Sequence, residues 1–142
     1  TSLLRVERPG PGKRVLSAET ARAVRTMLEA VVGPDGTAQR AQVAAYRVAG
    51  KTGTARKNAR GGGYEDDRFL AMFAGMAPAS NPRLVMAVMI DDPRGEEYYG
   101  GQVAAPVFSR VMSGALRLMN VPPDDLPKGE NLLRVADRRE AL

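Results

Sequence analysis

Apolar residues recur at helical spacing near the start of the chain and predict an amphipathic helix over about 18–32. The residues on its apolar face are Val24, Leu28, Val31 and Val32. Ser17 is a suitable N-cap, because its hydroxyl can accept a hydrogen bond from a free N–H of the first turn. Gly33 and Pro34 end the helix, since proline cannot continue it.

Three later segments have the apolar and β-branched composition of strands, at about 46–55, 68–76 and 83–90. A polar stretch that holds three consecutive glycines, residues 56–67, is expected to be a flexible connection between the first two strands. The segment 78–82 begins and ends with proline and has strong turn chemistry. Short links of this kind favour antiparallel pairing, so a three-stranded meander is predicted.

A second amphipathic helix is predicted over about 103–119, with Pro106 tolerated in its first turn and Asn120 just after its end. Its predicted buried face consists of Phe108, Val111, Met112, Ala115, Leu118 and Met119. Beyond this helix the apolar content falls and the charge rises. Residues 1–123 are therefore expected to form one α+β domain, an antiparallel sheet flanked by helices, and residues 124–142 a mobile tail.

The charge and composition of the chain argue against several classes of function. The net charge is +5, from 21 basic and 16 acidic residues, but the basic residues are spread along the chain rather than gathered in one stripe. With only three Phe and four Tyr to stack on bases, nucleic acid is not an expected partner. The chain has no Cys and no His, so a disulfide scaffold and a thiolate zinc site are excluded, and no metal or cofactor is expected.

The strongest chemical signal is Lys51-Thr52-Gly53-Thr54, which follows the apolar residues 48–50. Hydroxyls beside an ammonium suit a carboxylate, and Gly53 leaves room for a substrate backbone to pair with the strand edge. Strand alternation places Thr52 and Thr54 on one face of the sheet and Lys51 on the other. This alternation can be broken near a strand end, which would let Lys51 reach the same cleft. A surface turn without function is the simpler alternative.

The same segment also satisfies a relaxed phosphate-loop pattern from Ala45 to Thr52, and Asp91-Asp92 after the third strand resembles a metal-binding acid. A phosphate loop needs backbone N–H groups that lead directly into a helix, whereas the residues around Lys51 are strand-like. Ala45 also replaces the first glycine of the pattern. A nucleotide hydrolase is therefore a less favoured hypothesis. The two aspartates are interpreted as turn residues, with a metal site as the alternative.

Seven short blocks occur in order and at consistent spacing along the chain. They are Val15–Ser17, Gly36–Ala38, Tyr46–Ala55, Phe73–Pro78, Val88–Pro93, Tyr98–Gly101 and Ala104–Phe108. Through these blocks, which span about residues 3–123, the chain resembles the C-terminal part of the transpeptidase domain of class B penicillin-binding proteins, especially the septal cell-division type. The resemblance implies a penicillin-binding/β-lactamase-like transpeptidase fold of the α+β class, with Lys51-Thr52-Gly53 on the strand beside the active cleft.

The resemblance also implies roles for the motif in a serine D,D-transpeptidase that cross-links peptidoglycan through an acyl-enzyme. Thr52 and Thr54 would hold the terminal carboxylate of a D-alanyl stem peptide or of a β-lactam, and Gly53 would let the ligand approach. The backbone N–H of Thr54 would be an oxyanion-hole donor. Lys51 would keep the cleft positive and assist proton transfer.

Four further residues are implied to border bound ligand. Tyr98, Tyr99 and Phe69 would form an aromatic wall, and Arg56 would lie at the edge of the same cleft. The simpler alternatives are a partly exposed loop for the two tyrosines and ordinary strand packing for Phe69.

The family also requires a Ser-x-x-Lys that carries the nucleophile and a Ser-x-Asn that helps to move protons. None of the serines, which are Ser2, Ser17, Ser80, Ser109 and Ser113, begins either pattern. The resemblance therefore implies that both motifs and a membrane anchor lie upstream, and that a sheet edge and an apolar helix face of this C-terminal piece are uncovered. A non-catalytic module that binds peptide carboxylates is the alternative.

The implied partners are the N-terminal half of the same enzyme, peptidoglycan stem peptides or β-lactams, and cell-division proteins. The implied location is the periplasmic face of the bacterial inner membrane. The absence of cysteine agrees with an oxidising compartment, although many cytoplasmic chains also lack it.

Overall fold

The computed structural model describes residues 12–59 and 61–126 of the chain. Its helices and strands, in chain order, are α1 (Ala18–Ala30), a 3₁₀ turn (Gln39–Ala41), β1 (Ala49–Asn58), β2 (Tyr64–Ala77), β3 (Leu84–Asp91), α2 (Gly100–Val103) and α3 (Ala105–Leu118). The strands form one antiparallel sheet in the order β1-β2-β3. The predicted α+β class and the meander are confirmed. Among the described helices, none combines the length and the apolar character needed to cross a lipid bilayer.

The core lies between the inner face of the sheet and α3. Its largest fully buried side chains are Phe73 from β2 and Phe108, Met112 and Leu116 from α3. The rings of Phe73 and Phe108 meet edge to face, with centroids 4.8 Å apart and planes at 72°. This geometry suits the aromatic quadrupole, so the two rings hold α3 against the sheet.

The predicted buried face of α3 was only partly right. Its positions 108 and 112 are buried, and Leu116 is buried as well, so the buried stripe repeats every fourth residue. Val111, Leu118 and Met119 are instead more than half exposed. The sheet contacts α3 from one side, which leaves the flanks of its wide apolar face open.

α1 begins where the sequence predicts, with the Ser17 hydroxyl accepting a 3.0 Å hydrogen bond from the Thr20 backbone N–H. It ends at Ala30 rather than 32, because the N–H of Val32 turns back to the Glu29 carbonyl and tightens the last turn. No residue of α1 is buried. Part of its apolar face is therefore uncovered, as expected, with Val24 44% and Met27 70% exposed.

The polar stretch 56–67 is not a flexible connection, which corrects the prediction. β1 continues to Asn58 and β2 begins at Tyr64, so most of the stretch is strand. An ion pair of 2.6 Å between Lys57 and Asp91 stabilises the extended end of β1. The glycines mark only the tip, where two of them adopt positive φ and close the hairpin.

β1 also begins later than the predicted residue 46, at Ala49. The residues before it bond to other segments instead of to β2. The Tyr46 hydroxyl donates to the Val121 carbonyl at 2.6 Å, and the Arg47 carbonyl accepts from the Ala79 N–H at 2.7 Å. These bonds attach the residues just before β1 to two other parts of the chain, the segment after α3 and the turn between β2 and β3.

The start of the predicted tail is also attached to the domain. Asp124 accepts hydrogen bonds from the backbone N–H groups of Arg47 at 2.8 Å and Ser80 at 3.0 Å. The N–H of Asp125 donates to the Ala45 carbonyl at 3.0 Å. These two aspartates are therefore attached to the domain, and the rest of the predicted mobile tail, beyond residue 126, lies outside the described residues.

Candidate active site

β1 forms one edge of the sheet and carries the motif Lys51-Thr52-Gly53-Thr54 in its first half. The Lys51 ammonium donates to the Thr52 carbonyl at 3.0 Å and lies 3.4 Å from the Thr52 hydroxyl. The long side chain bends around the strand edge, so alternation does not keep Lys51 away from the Thr52 side chain. A positive charge and a hydroxyl therefore lie together, as carboxylate binding requires.

A pocket of about 330 Å³ opens beside the motif. It is lined by Thr37, Thr52, Thr54, Tyr99, Gly100, Gly101 and Gln102. The hydroxyls of Thr37 and Thr52 lie 3.2 Å apart. The Thr54 hydroxyl accepts a 3.2 Å hydrogen bond from the Gly100 N–H. The pocket volume and its three threonine hydroxyls suit a small ligand that carries a carboxylate.

A larger pocket of about 590 Å³ lies between α1 and the residues before β1. It is bordered by Glu29 and Arg47, which neutralise each other as an ion pair at 2.7 Å. No residue of the motif 51–54 lines it. We therefore assign the candidate site to the smaller pocket, which the motif lines.

Two adjacent glycines let α2 approach the sheet closely and form one wall of the pocket. A Cβ on Gly100 would lie 2.1 Å from the Met72 carbonyl oxygen and 2.6 Å from that of Gly53. A Cβ on Gly101 would lie 1.9 Å from the Thr37 carbonyl oxygen. Any side chain at either position would displace α2. The glycine pair is the signal in the sequence for this contact.

Phe69, Tyr98 and Tyr99 form a row of rings. The centroids are 4.3 Å apart between Phe69 and Tyr98, and 4.4 Å apart between the two tyrosines. The Tyr98 hydroxyl donates to the Tyr99 hydroxyl at 3.0 Å, and this hydrogen bond raises the pKa of Tyr98. Only Tyr99 of the three lines the pocket, so the other two rings support it from behind.

Arg56 lies further along β1, opposite Phe69 in the strand register. Its guanidinium is 3.5 Å from the Asp66 carboxylate. Its positive charge acts to lower the pKa of Tyr98, which opposes the effect of the Tyr99 hydrogen bond. Arg56 is therefore a neighbour of the aromatic row and does not line the pocket itself.

Arg40, in the 3₁₀ turn, holds the segment that leads into α2. Its guanidinium bonds both carboxylate oxygens of Glu97, at 2.7 and 2.8 Å, and the Gln102 carbonyl at 3.1 Å. The hydrogen bond raises the pKa of Arg40 and lowers the pKa of Glu97. Sequence reasoning missed both Arg40 and Thr37 as site residues, because their partners come from distant segments. In the sequence, the only signal for Thr37 was its place in Gly36–Ala38, one of the seven blocks that carry the family resemblance.

The phosphate-loop hypothesis is wrong. Lys51 and Thr52 lie inside a strand that continues to Asn58, and the chain then enters β2 rather than a helix. The N–H groups of such a strand do not converge on a phosphate as those at a helix start do.

The two aspartates at the end of β3, Asp91 and Asp92, are occupied by salt bridges. Asp91 pairs with Lys57 at 2.6 Å, and Asp92 pairs with Arg68 at 3.0 Å and with Arg94 at 2.8 Å. In the part of the chain that the structure describes, no group of three or more His, Cys, Asp or Glu residues is placed to hold a metal ion. Charge pairing explains both carboxylates.

A family model described as penicillin binding protein transpeptidase domain matches residues 2–113, which is most of the chain. The chain belongs to this family. The resemblance carried by the seven sequence blocks is thereby confirmed.

Curated members of the transpeptidase family share nearly half of their aligned residues with this chain. The probable peptidoglycan D,D-transpeptidase PbpC of Pseudomonas aeruginosa is 47% identical over 138 residues, which cover 97% of this chain and 24% of PbpC. The peptidoglycan D,D-transpeptidase FtsI of Escherichia coli is 45% identical over 129 residues, which cover 91% of this chain and 22% of FtsI. The chain thus spans about a quarter of the length of these relatives.

Solved transpeptidase structures share the fold. The apo transpeptidase domain of penicillin-binding protein 3 from Burkholderia pseudomallei has a TM-score of 0.75 and 52% identity, over 84% of this chain and 36% of that chain. Penicillin-binding protein 3 from Mycobacterium tuberculosis, complexed with ampicillin, has a TM-score of 0.73 and 42% identity, over 87% of this chain and 29% of that chain. The expected penicillin-binding transpeptidase fold is confirmed.

Proposed function

We propose that the chain forms part of a peptidoglycan D,D-transpeptidase and supplies the side of the active cleft that binds the ligand's carboxylate. The observation that carries this proposal is a pocket lined by Thr52 and Thr54, with the Lys51 ammonium 3.4 Å from the Thr52 hydroxyl. The names of PbpC and FtsI, both peptidoglycan D,D-transpeptidases, support the reaction class.

Two of the pocket hydroxyls can donate to an anion. The Thr54 oxygen accepts the N–H of Gly100, so its own proton is free for a ligand. The Thr52 oxygen lies within reach of the Lys51 ammonium, which can only donate, so the Thr52 proton is also available. The carboxylate of a D-alanyl stem peptide or of a β-lactam would accept from both hydroxyls, and the charge of Lys51 would favour its ionised form.

The proposed reaction is acyl transfer through a serine in another part of the enzyme. The serine oxygen attacks the carbonyl carbon between the last two D-alanines, the C–N bond breaks, and the terminal D-alanine leaves. An amine of a second stem peptide then takes the acyl group and releases the serine. Alternate N–H groups of the edge strand β1 face outward, and we assign the N–H of Thr54 to the oxyanion hole. Lys51 assists the proton transfers.

The remaining residues of the site are proposed to shape the cleft around the ligand. Tyr99 contacts the ligand directly, with Tyr98 and Phe69 stacked behind it. Gly53 lets the ligand backbone approach the strand, and Arg56 borders the cleft beyond the aromatic row. Stacked aromatic rings give such a wall a fixed shape.

The chain is proposed to act while packed against the N-terminal part of the same enzyme. α1 has no buried residue, and β3 has one edge unpaired within the described residues, with Val85 75% and Met89 62% exposed. The curated relatives are about four times as long as the chain, enough to supply the covering segments. The similarity to these relatives also supports two further proposals, a location at the periplasmic face of the inner membrane and cell-division proteins as partners.

The test is to treat the complete protein that carries this chain with a penicillin, digest it and locate the adduct by mass spectrometry. We expect one adduct on a serine of a Ser-x-x-Lys outside residues 1–142, and none on the serines within them. An adduct on a serine of this chain would overturn the proposed division of roles. If no adduct forms, the chain is better explained as a non-catalytic module that binds peptide carboxylates.

A further inference from the structure

Thr37 lines the pocket, yet the carboxylate site proposed above does not use it. It lies between α1 and the 3₁₀ turn, where the N–H of the buried Ala38 donates to the Val31 carbonyl at 2.9 Å. On its other side, the Thr37 carbonyl lies so close to Gly101 of α2 that no side chain would fit there. The Thr37 backbone is therefore held from two directions.

The Thr37 hydroxyl lies 3.2 Å from that of Thr52, and the Thr52 oxygen lies 3.4 Å from the Lys51 ammonium. A hydroxyl has one proton to donate and two lone pairs that accept. The ammonium of Lys51 can only donate, so it occupies one lone pair of Thr52. When Thr37 donates to the other lone pair, the proton of Thr52 is left for the pocket.

Hydrogen bonds in such a chain polarise one another, so a Thr52 hydroxyl that accepts from both neighbours is a stronger donor to an anion. The two neighbours also hold the Thr52 oxygen on the pocket side of its side chain. Such contacts are often long in an empty site and shorten when the ligand binds.

We propose that Thr37 is a positioning residue for carboxylate binding, whose hydroxyl donates to Thr52 and thereby directs the Thr52 O–H into the pocket. The inference rests on the proposed function. Thr37 acts through Thr52 and does not touch the reacting atoms, so its effect falls on ligand affinity and not on the chemical step.

The test compares acylation of the complete protein by a penicillin and by its methyl ester, which lacks the negative charge. In Thr37→Val, we expect the half-saturating concentration of penicillin to rise about three- to tenfold. The reason is that Thr52, without the hydrogen bond from Thr37, donates more weakly to the charged carboxylate of the ligand. The limiting acylation rate constant should stay the same. For the ester, both constants should change less than about twofold.

Two further variants separate the hydroxyl from the packing. Thr37→Ser keeps the donor and should restore the affinity for penicillin. Thr26→Val makes the same chemical change on α1, where the Thr26 hydroxyl bonds the Arg22 carbonyl at 3.1 Å, and should leave the acylation constants unaltered.

Equal losses for penicillin and ester would overturn the inference, since Thr37 would then shape the pocket without directing a proton to a carboxylate. Unchanged constants for Thr37→Val would overturn it as well. In both of these results the unaltered protein is still acylated, so the proposed function stands. If penicillin does not acylate the unaltered protein, the proposed function fails and this inference fails with it.

Discussion

The backbone N–H of Gly100 donates a 3.2 Å hydrogen bond to the hydroxyl of Thr54. This bond joins the first residue of α2 to the middle of β1, and so connects two walls of the pocket. A Cβ at Gly100 would overlap the carbonyl oxygens of Met72 and Gly53. The placement of α2, and of Tyr99 just before it, therefore depends on a glycine at this position.

Replacing that glycine should disable the site. We expect Gly100→Ala to slow acylation of the complete protein by a penicillin on the order of 100-fold, since displacements of about 1 Å at a reactive site have effects of that size. The measurement is the second-order acylation rate constant, with a thermal unfolding midpoint to confirm that the variant folds. Acylation at the unaltered rate would show that α2 does not set the pocket geometry.

Gly114→Ala is the matched control for this substitution. Gly114 lies inside α3, and a Cβ there would meet nothing within 4 Å beyond its chain neighbours and the backbone of its own helix. Alanine favours the helix over glycine, so this variant should gain about 1 kcal/mol in the free energy of unfolding. Its acylation rate should match that of the unaltered protein.

The Thr52 hydroxyl is predicted to contribute directly to ligand binding. Thr52→Val should reduce the second-order acylation rate constant for a penicillin about 10- to 100-fold, the effect of losing one hydrogen bond to a charged group. Thr52→Ser should retain most of the rate, because it keeps the hydroxyl. The two variants are compared with the same penicillin in the complete protein, and an unchanged rate in Thr52→Val would remove Thr52 from the site.

The order of the elements and the motif on β1 could be predicted from local sequence. Helical spacing and an N-cap located α1, and the turn at 78–82 indicated a meander. The motif 51–54 stood out because an ammonium, two hydroxyls and a glycine occur together. Each of these signals lies within a few residues, where propensity and periodicity are informative.

The rest of the site depends on contacts between distant segments, which periodicity does not reveal. The pairing of Thr37 with Thr52 arises because the turn after α1 lies beside β1. The continuation of β1 to Asn58 was missed for a related reason, since polar residues there are stabilised by partners on other strands, as Lys57 is by Asp91. Such partners are known only once the sheet has formed.

The ion pair of Arg40 with Glu97 is predicted to restrain the segment that carries Tyr98 and Tyr99. Arg40→Gln removes the two hydrogen bonds to the Glu97 carboxylate and the one to the Gln102 carbonyl. Hydrogen exchange at the N–H groups of Gln102 and Val103 should therefore become faster. Arg40→Lys keeps the charge without the planar geometry and should give an intermediate rate.

The same Arg40 variants should weaken penicillin binding about threefold, since the pocket wall formed by α2 stays in place but is less ordered. Arg110→Gln removes one positive charge from an exposed position of α3 and is the control for net charge. If Arg110→Gln weakens penicillin binding as much as Arg40→Gln does, the weaker binding results from the change in net charge and not from the loss of a restraint by Arg40.

Asp124 is predicted to make the stability of the domain depend on pH. Partial burial acts to raise the pKa of Asp124, but the hydrogen bonds from Ser80 and from the Arg47 backbone outweigh it and lower the pKa below the ordinary 3.8. Because the pKa is lower in the folded state, the carboxylate stabilises the fold fully at neutral pH. This contribution declines as the pH falls below the unfolded value and is lost below the folded-state pKa.

Asp124→Asn should therefore lower the free energy of unfolding at neutral pH by about 1 kcal/mol, a figure reduced for solvent screening. The difference from the unaltered protein should shrink as the pH falls from about 5 towards about 3. Urea unfolding of the complete protein across this range measures it, with exchange at the Arg47 and Ser80 N–H groups as the local readout. Asp125→Asn is the control, since Asp125 bonds Ala45 through its backbone alone and its carboxylate is exposed. A difference that stays constant with pH would mean that Asp124 stabilises the domain by packing and not by its charge.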